Sequence, residues 1–167
     1  MLDLKNPAHK AAARQLVLSA DVVLENNRPG VMDELGLGYD ALSPLNPRLI
    51  YCGISGFGAD GPYAQRPGFA TLAEAMSGFA AINGEPEGAP LLPPIALTDE
   101  LTAMSAAFAT MTALHSGVGQ VVDVNLLDTL LQTTAIDGAS AAIGTNFVYG
   151  TVIPIVLRFD NVRARAW

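Results

Sequence analysis

The sequence predicts an α/β protein, with parallel strands and helices packed along them. Three observations carry this. Short β-branched and apolar runs recur at 20–24, 49–54 and 120–124, and such runs form buried strands. Stretches with apolar residues at helical spacing lie between them, which favours parallel pairing through helical crossovers. The 167 residues, half hydrophobic and only 15% charged, are enough for an ordinary domain with a core and exclude disorder by composition.

Taken in order, Asn6 reads as the cap of a first helix with Pro7 in its first turn. That helix runs from Ala8 to Ser19, with Ala12, Leu16 and Val17 at core spacing, and Ala20 to Leu24 is the first strand. Glu25-Asn26-Asn27-Arg28-Pro29-Gly30 follows at the strand's C-terminal end, where ligands collect in open α/β sheets. The Asn side chains there can hydrogen-bond a ligand and Arg28 can meet a phosphate. The same residues also suit an ordinary turn. Val31 to Leu35 is a short helix, Tyr39 to Leu45 another turn or two broken by Asn46-Pro47, and Leu49 to Ile54 the second strand.

Gly56, Gly58 and Gly61 mark a loop whose backbone can approach a ligand. The loop has neither the GxGxxG spacing nor a GK[ST] sequence. Phe69 to Phe79 reads as one helix, with Leu72, Ala75, Met76 and Phe79 on one face and Glu74 solvated; Asn83 to Pro90 is a polar loop. The proline-rich run Pro90 to Thr102 then delivers Asp99 to the start of a helix from about Glu100 to His115. Thr98 or Asp99 can cap that helix, and an acid at a helix start is stabilised as the anion by free N–H groups and the dipole. Asp99 is therefore a helix cap on chemistry alone, and the foremost candidate if the protein performs covalent chemistry. Gln120 to Val124 is the third strand and Leu126 to about Ile143 a long helix. Thr151 to Leu157 is a β-branched run broken by Pro154, and Arg158 to Trp167 shows no clear element.

Several function classes are excluded. The net charge is −7, from 9 basic and 16 acidic residues without a basic cluster, so nucleic acid is not an expected partner. The single cysteine, Cys52, permits no internal disulfide and no Cys-rich zinc site, and no metal is expected. No apolar stretch follows Met1-Leu2-Asp3-Leu4-Lys5, and Thr102 to Leu114 is too short to span a bilayer. A soluble cytoplasmic protein without membrane partners is expected. His9 and His115 lack a Ser, Cys or Asp at a spacing that argues for a triad.

Six segments occur together in a set order: Asp21 to Gly30, Asn46 to Tyr51, Ser55 to Gly58, Gly61 to Tyr63, Glu74 to Gly78 and Gly119 to Val124. In order and spacing they resemble the family III CoA-transferases, the group of the formyl-CoA and carnitine-CoA transferases, across roughly residues 2 to 145. The resemblance implies a Rossmann-like parallel sheet with flanking helices, part of that family's large domain. On it, residues 1–125 are an incomplete large, CoA-binding domain, 126–147 a helix leading to the linker, and 148–167 an atypical tail, truncated or frame-shifted.

The resemblance also implies CoA transfer between an acyl-CoA thioester and a carboxylic acid, with the thioester as substrate and no permanently bound cofactor. Asp99 falls on the family's nucleophile, which forms a mixed anhydride with the acyl group and then a thioester with CoA. Asn26 and Asn27 fall on CoA-contacting positions beside Arg28, with Asn27 where an aromatic is usual. Phe69 occupies a substrate-pocket position that is Tyr in the formyl-CoA transferases. It is an acid/base His in the related acyl-CoA racemases, so Phe69 disfavours racemisation. The alternatives are that racemase activity and a non-catalytic CoA-binding remnant. The family's interlocked homodimer is not expected of a chain this short. Its opening strand–loop–helix precedes this sequence, and Leu114 to Gly117 is shorter than the family's connection. Donor and acceptor identities are not readable from these residues.

Overall fold

Alternation along three strands sorts the core onto two faces of one sheet. In the computed structural model, which describes residues 2–142 and side chains to residue 134, the strands are β1 (Val22–Glu25), β2 (Ile50–Ser55) and β3 (Gln120–Asn125). They pair in the order β1-β2-β3, both pairs parallel, with Val22 opposite Ile50 and Ile50 opposite Gln120. Successive side chains point to opposite faces. Ile50, Cys52 and Val122 therefore pack with Ala106 and Ala113 on one side, while Leu49 and Tyr51 join Leu37 and Leu42 on the other.

The helices are α1 (Pro7–Leu18), α2 (Val31–Glu34), α3 (Tyr39–Leu42), α4 (Ala70–Met76), α5 (Phe79–Ile82), α6 (Leu97–Ser116) and α7 (Leu126–Ala142). Asn6 caps α1 as its sequence indicates: its Oδ1 accepts from the Ala8 and His9 amides, with Pro7 in the first turn. Its buried face differs from the expected one. Ala13 and Val17 meet the core, whereas Ala12 and Leu16 are exposed. Asn46 Nδ2 donates to the carbonyls of Val17 and Ala20, tying the exit of α1 to the entry of β2. The first strand starts two residues later than the pattern suggests, because Ser19 and Ala20 bond back to the last turn of α1.

The expected helix at 69–79 is two helices. Gly78 adopts φ +84, a left-handed conformation that ends α4 and starts α5. The face also changes: Ala73 and Glu74 are buried, while Leu72, Ala75 and Met76 are exposed. Ala73 packs with Leu126 and Leu130 of α7 in a third cluster that Leu101 of α6 joins. The long helix α6 lies along β2 and β3 through small residues, burying Thr98, Thr102, Ala106 and Ala113. Its Met104, Phe108 and Met111 stay exposed.

Cys52 is a fully buried small apolar residue, and burial pushes its thiol above the ordinary range despite a hydrogen bond with Thr110. Among the described residues no helix is long and apolar enough to cross a membrane, and no group of three or more His, Cys, Asp or Glu is placed to hold a metal ion. The expected tail at 148–167 lies outside the described residues.

Candidate functional site

The C-terminal ends of β1 and β2 open into two adjoining clefts. The smaller, about 130 Å³, is lined by Asn26, Asn27, Arg28 and Phe69, together with Phe57 and Arg66. The fold thus brings together every sequence-predicted binding residue, from positions over forty apart. Asn26, Asn27 and Arg28 are exposed on the turn after β1, and the backbone amide of Asn27 donates to Glu25 Oε2 at 2.7 Å. Phe69 caps α4 from an extended backbone conformation, its ring two-thirds exposed at 66%.

Two loops cross beneath this cleft at Gly56 and Gly68. A Cβ on either glycine would lie 2.5 Å from the other's Cα, so the crossing requires residues without side chains. The loop is fixed further by the Gly58 amide donating to Ser55 Oγ and the Ala59 amide donating to Asp123 Oδ2, both at 2.9 Å. Arg66 comes from the same loop region, its guanidinium 4.6 Å from the centroid of the Tyr63 ring, which itself packs on Phe57. Sequence reading missed Arg66. The visible signal is an arginine between turn residues after the glycine loop, but only the loop crossing places it in the same cleft as Arg28.

The larger cleft, about 300 Å³, shares Asn27, Pro29 and Ser55 with the smaller. Its charged lining is acidic: Glu25, Asp33, Asp40, Asp60 and Asp123. Tyr51 lines it with a buried hydroxyl that has no hydrogen-bond partner among the described residues. Burial first, then the charges of Glu25 and Asp33, push the phenol well above its ordinary range.

Asp99 lies elsewhere, in the first turn of α6, and lines neither of these clefts. It is exposed on the helix surface. The expected cap is corrected: Ala96 is the N-cap, neither Thr98 nor Asp99 caps, and no side chain bonds the free amides. The prolines before it explain why, since Pro93 and Pro94 disfavour helix at the residues preceding them, and the chain bends at Pro94 and Ile95 before the helix starts at Leu97. The Leu97 amide donates to the Ile95 carbonyl at 2.8 Å and the Glu100 amide to Ala96 at 3.0 Å. Asp99 and Glu100 together complement the positive end of the helix dipole.

Thr98, wholly buried, donates through Oγ1 to Oε1 of Glu74 at 2.7 Å. Glu74 is 4% exposed, contrary to the solvated position its sequence suggests. Its burial follows from the shift of the α4 face described above.

Comparison with known proteins matches residues 1–151 to the model for CoA-transferase family III. Among characterised relatives, the chain is 44% identical over 134 residues to the succinyl-CoA–D-citramalate CoA-transferase of Chloroflexus aurantiacus, spanning 78% of this chain and 33% of that one. It is 45% identical over 130 residues to the succinate–glutarate CoA-transferase of Agrobacterium fabrum, spanning 75% and 32%. The chain thus spans about one third of the length of these relatives. Among solved structures, a CaiB/BaiF family protein from Brucella suis superposes with a TM-score of 0.80 at 36% identity, over 86% of this chain and 39% of that one. The parallel sheet, the ordered motifs and these matches lead to one conclusion: the chain belongs to CoA-transferase family III.

Proposed function

We propose that this chain carries the thioester-handling half-site of a CoA-transferase that moves CoA from an acyl-CoA to a carboxylic acid, with Asp99 as nucleophile. The single observation that carries this reading is Asp99 itself: an exposed carboxylate in the first turn of α6, in a member of this family. A nucleophile must reach solvent-borne substrate, and Asp99 does so from a helix whose preceding residue, Thr98, is wholly buried.

The reaction conserves atoms at each step. An Asp99 carboxylate oxygen attacks the thioester carbonyl, and CoA leaves as the thiolate, giving an aspartyl mixed anhydride. The thiolate then attacks the Asp99 carbonyl, releasing the donor's carboxylate and leaving CoA as a thioester on Asp99. An acceptor carboxylate attacks that thioester, forming a second anhydride and freeing the thiolate again. The thiolate takes the acceptor's acyl group, and Asp99 is regenerated. Arg28 and Arg66 supply two guanidiniums for the phosphates of CoA, with Asn26 and Asn27 as hydrogen-bonding groups beside them. Phe69 offers an apolar wall and no proton, which suits transfer and not racemisation. The reaction needs no permanently bound cofactor and belongs in the cytoplasm.

The test is peptide mass spectrometry after mixing with a panel of CoA thioesters and quenching with hydroxylamine. Succinyl-CoA comes first, because succinyl-CoA or succinate stands in the names of both relatives described. A hydroxamate on Asp99, absent from Asp99→Asn, is the expected result. Unmodified Asp99 with every donor contradicts the assignment. Asp99→Asn should fold normally, losing only the dipole contribution of about 0.3–1 kcal/mol.

A further inference from the structure

We infer that Glu74 is a positioning residue for Asp99: its buried carboxylate anchors, through Thr98, the uncapped first turn of α6. The inference rests on the reading of Asp99 as nucleophile and adds a residue that reading does not contain. Three observations converge. Among the described residues no side chain caps α6, so the turn that bears Asp99 lacks the usual fastening of a helix start. Thr98 is wholly buried and donates to Glu74 Oε1 at 2.7 Å, while Thr102 Oγ1 donates to the Thr98 carbonyl at 2.7 Å. Glu74 is 4% exposed in the layer where α4 meets α6 and α7.

A buried carboxylate is costly unless hydrogen-bonded. Packing two helices does not require one, because an apolar pair of similar shape does this at least as well. A carboxylate-to-hydroxyl bond adds direction. It fixes Thr98 inward, and one residue of helical rotation then points Asp99 outward. Phe69 precedes Glu74 by five residues and caps the same helix, so α4 carries both one wall of the smaller cleft and the anchor of the nucleophile's turn.

The test measures the first-turnover rate of Asp99 acylation by succinyl-CoA, trapped as the hydroxamate, together with CoA binding. Glu74→Leu and Thr98→Val should each acylate roughly tenfold more slowly with unchanged CoA affinity, the loss expected when one buried hydrogen bond is removed. Glu74→Gln and Thr98→Ser retain an acceptor and a donor, and should stay within roughly threefold of the parent. In parallel, amide exchange at Glu100 to Thr102 should quicken in Glu74→Leu and Thr98→Val while β2 keeps its protection. Parent rates, or parent exchange at α6, in these two variants overturn the inference. If the parent chain forms no adduct at Asp99, the preceding reading fails, and the exchange arm still decides the anchor. If Glu74→Leu does not fold, Thr98→Val carries the test.

Discussion

The two clefts at the strand ends share three residues and differ in sign. The larger is ringed by five carboxylates; the smaller has two arginines and no carboxylate. Size alone selects the larger for a ligand as long as a CoA thioester. Under the proposed CoA-handling role, charge favours the smaller, because CoA carries phosphates and the acidic side chains of the larger cleft oppose them at short range. The strands explain the proximity, since parallel β1 and β2 end side by side and each sends its following loop over the same edge. The loops explain the difference. Residues after β1 place Arg28 in one cleft and Asp33 in the other, and the loop past the glycine crossing adds Arg66 to the cleft of Arg28.

Removing the arginines should have the largest effect. Arg28→Ala and Arg66→Ala should each weaken CoA binding roughly tenfold, and the pair roughly a hundredfold, measured by calorimetry. The loss should shrink as salt rises, since both side chains are exposed. Asp33→Asn in the larger cleft should leave CoA affinity unchanged or slightly raised. A collapse of affinity in Asp33→Asn, with none in the arginine variants, would assign CoA to the acidic cleft.

A smaller effect sharpens the same contrast. Tyr51→Phe removes a buried hydroxyl that has no partner, so the fold should gain up to about 1 kcal/mol at neutral pH in urea unfolding. Above neutrality the sign follows from the raised phenol. The folded state keeps it protonated, while the unfolded chain ionises near the ordinary 10.0. The unfolded state then binds fewer protons, so stability present below that pH falls as pH rises through it. Tyr51→Phe should flatten that decline, leaving the part due to the raised Cys52 thiol. An unchanged alkaline slope would show that Tyr51 does not titrate with folding.

Much of this fold is legible in the sequence because its signals are local. Asn6-Pro7 sets a helix start by its own side chain, and three β-branched runs identify strands whatever surrounds them. The turn at Asn26 to Arg28 was locatable because a strand's end is a place as well as an element. Residues decided by packing were not legible. Glu74 is polar, on a helix with apolar residues on several sides, and only the approach of α6 and α7 determines which side is buried. Leu16 and Met76 are apolar yet exposed for the same reason. Arg66 needed a long-range crossing of two glycines, which leaves no periodic trace. The break at Gly78 was visible as a glycine, but its positive φ ended a helix that the apolar spacing carried through.

If Asp99 is the nucleophile, its own carboxylate oxygens exchange with those of the substrates during turnover. Turnover with an acceptor carboxylate bearing heavy oxygen, followed by mass spectrometry of the peptide carrying Asp99, reads the oxygen that bridges the second anhydride. When CoA thiolate takes the acceptor's acyl group, that bridging atom stays on Asp99. Heavy oxygen in the Asp99 carboxylate after turnover is the predicted result. Turnover that forms the new thioester and leaves Asp99 unlabelled would contradict it.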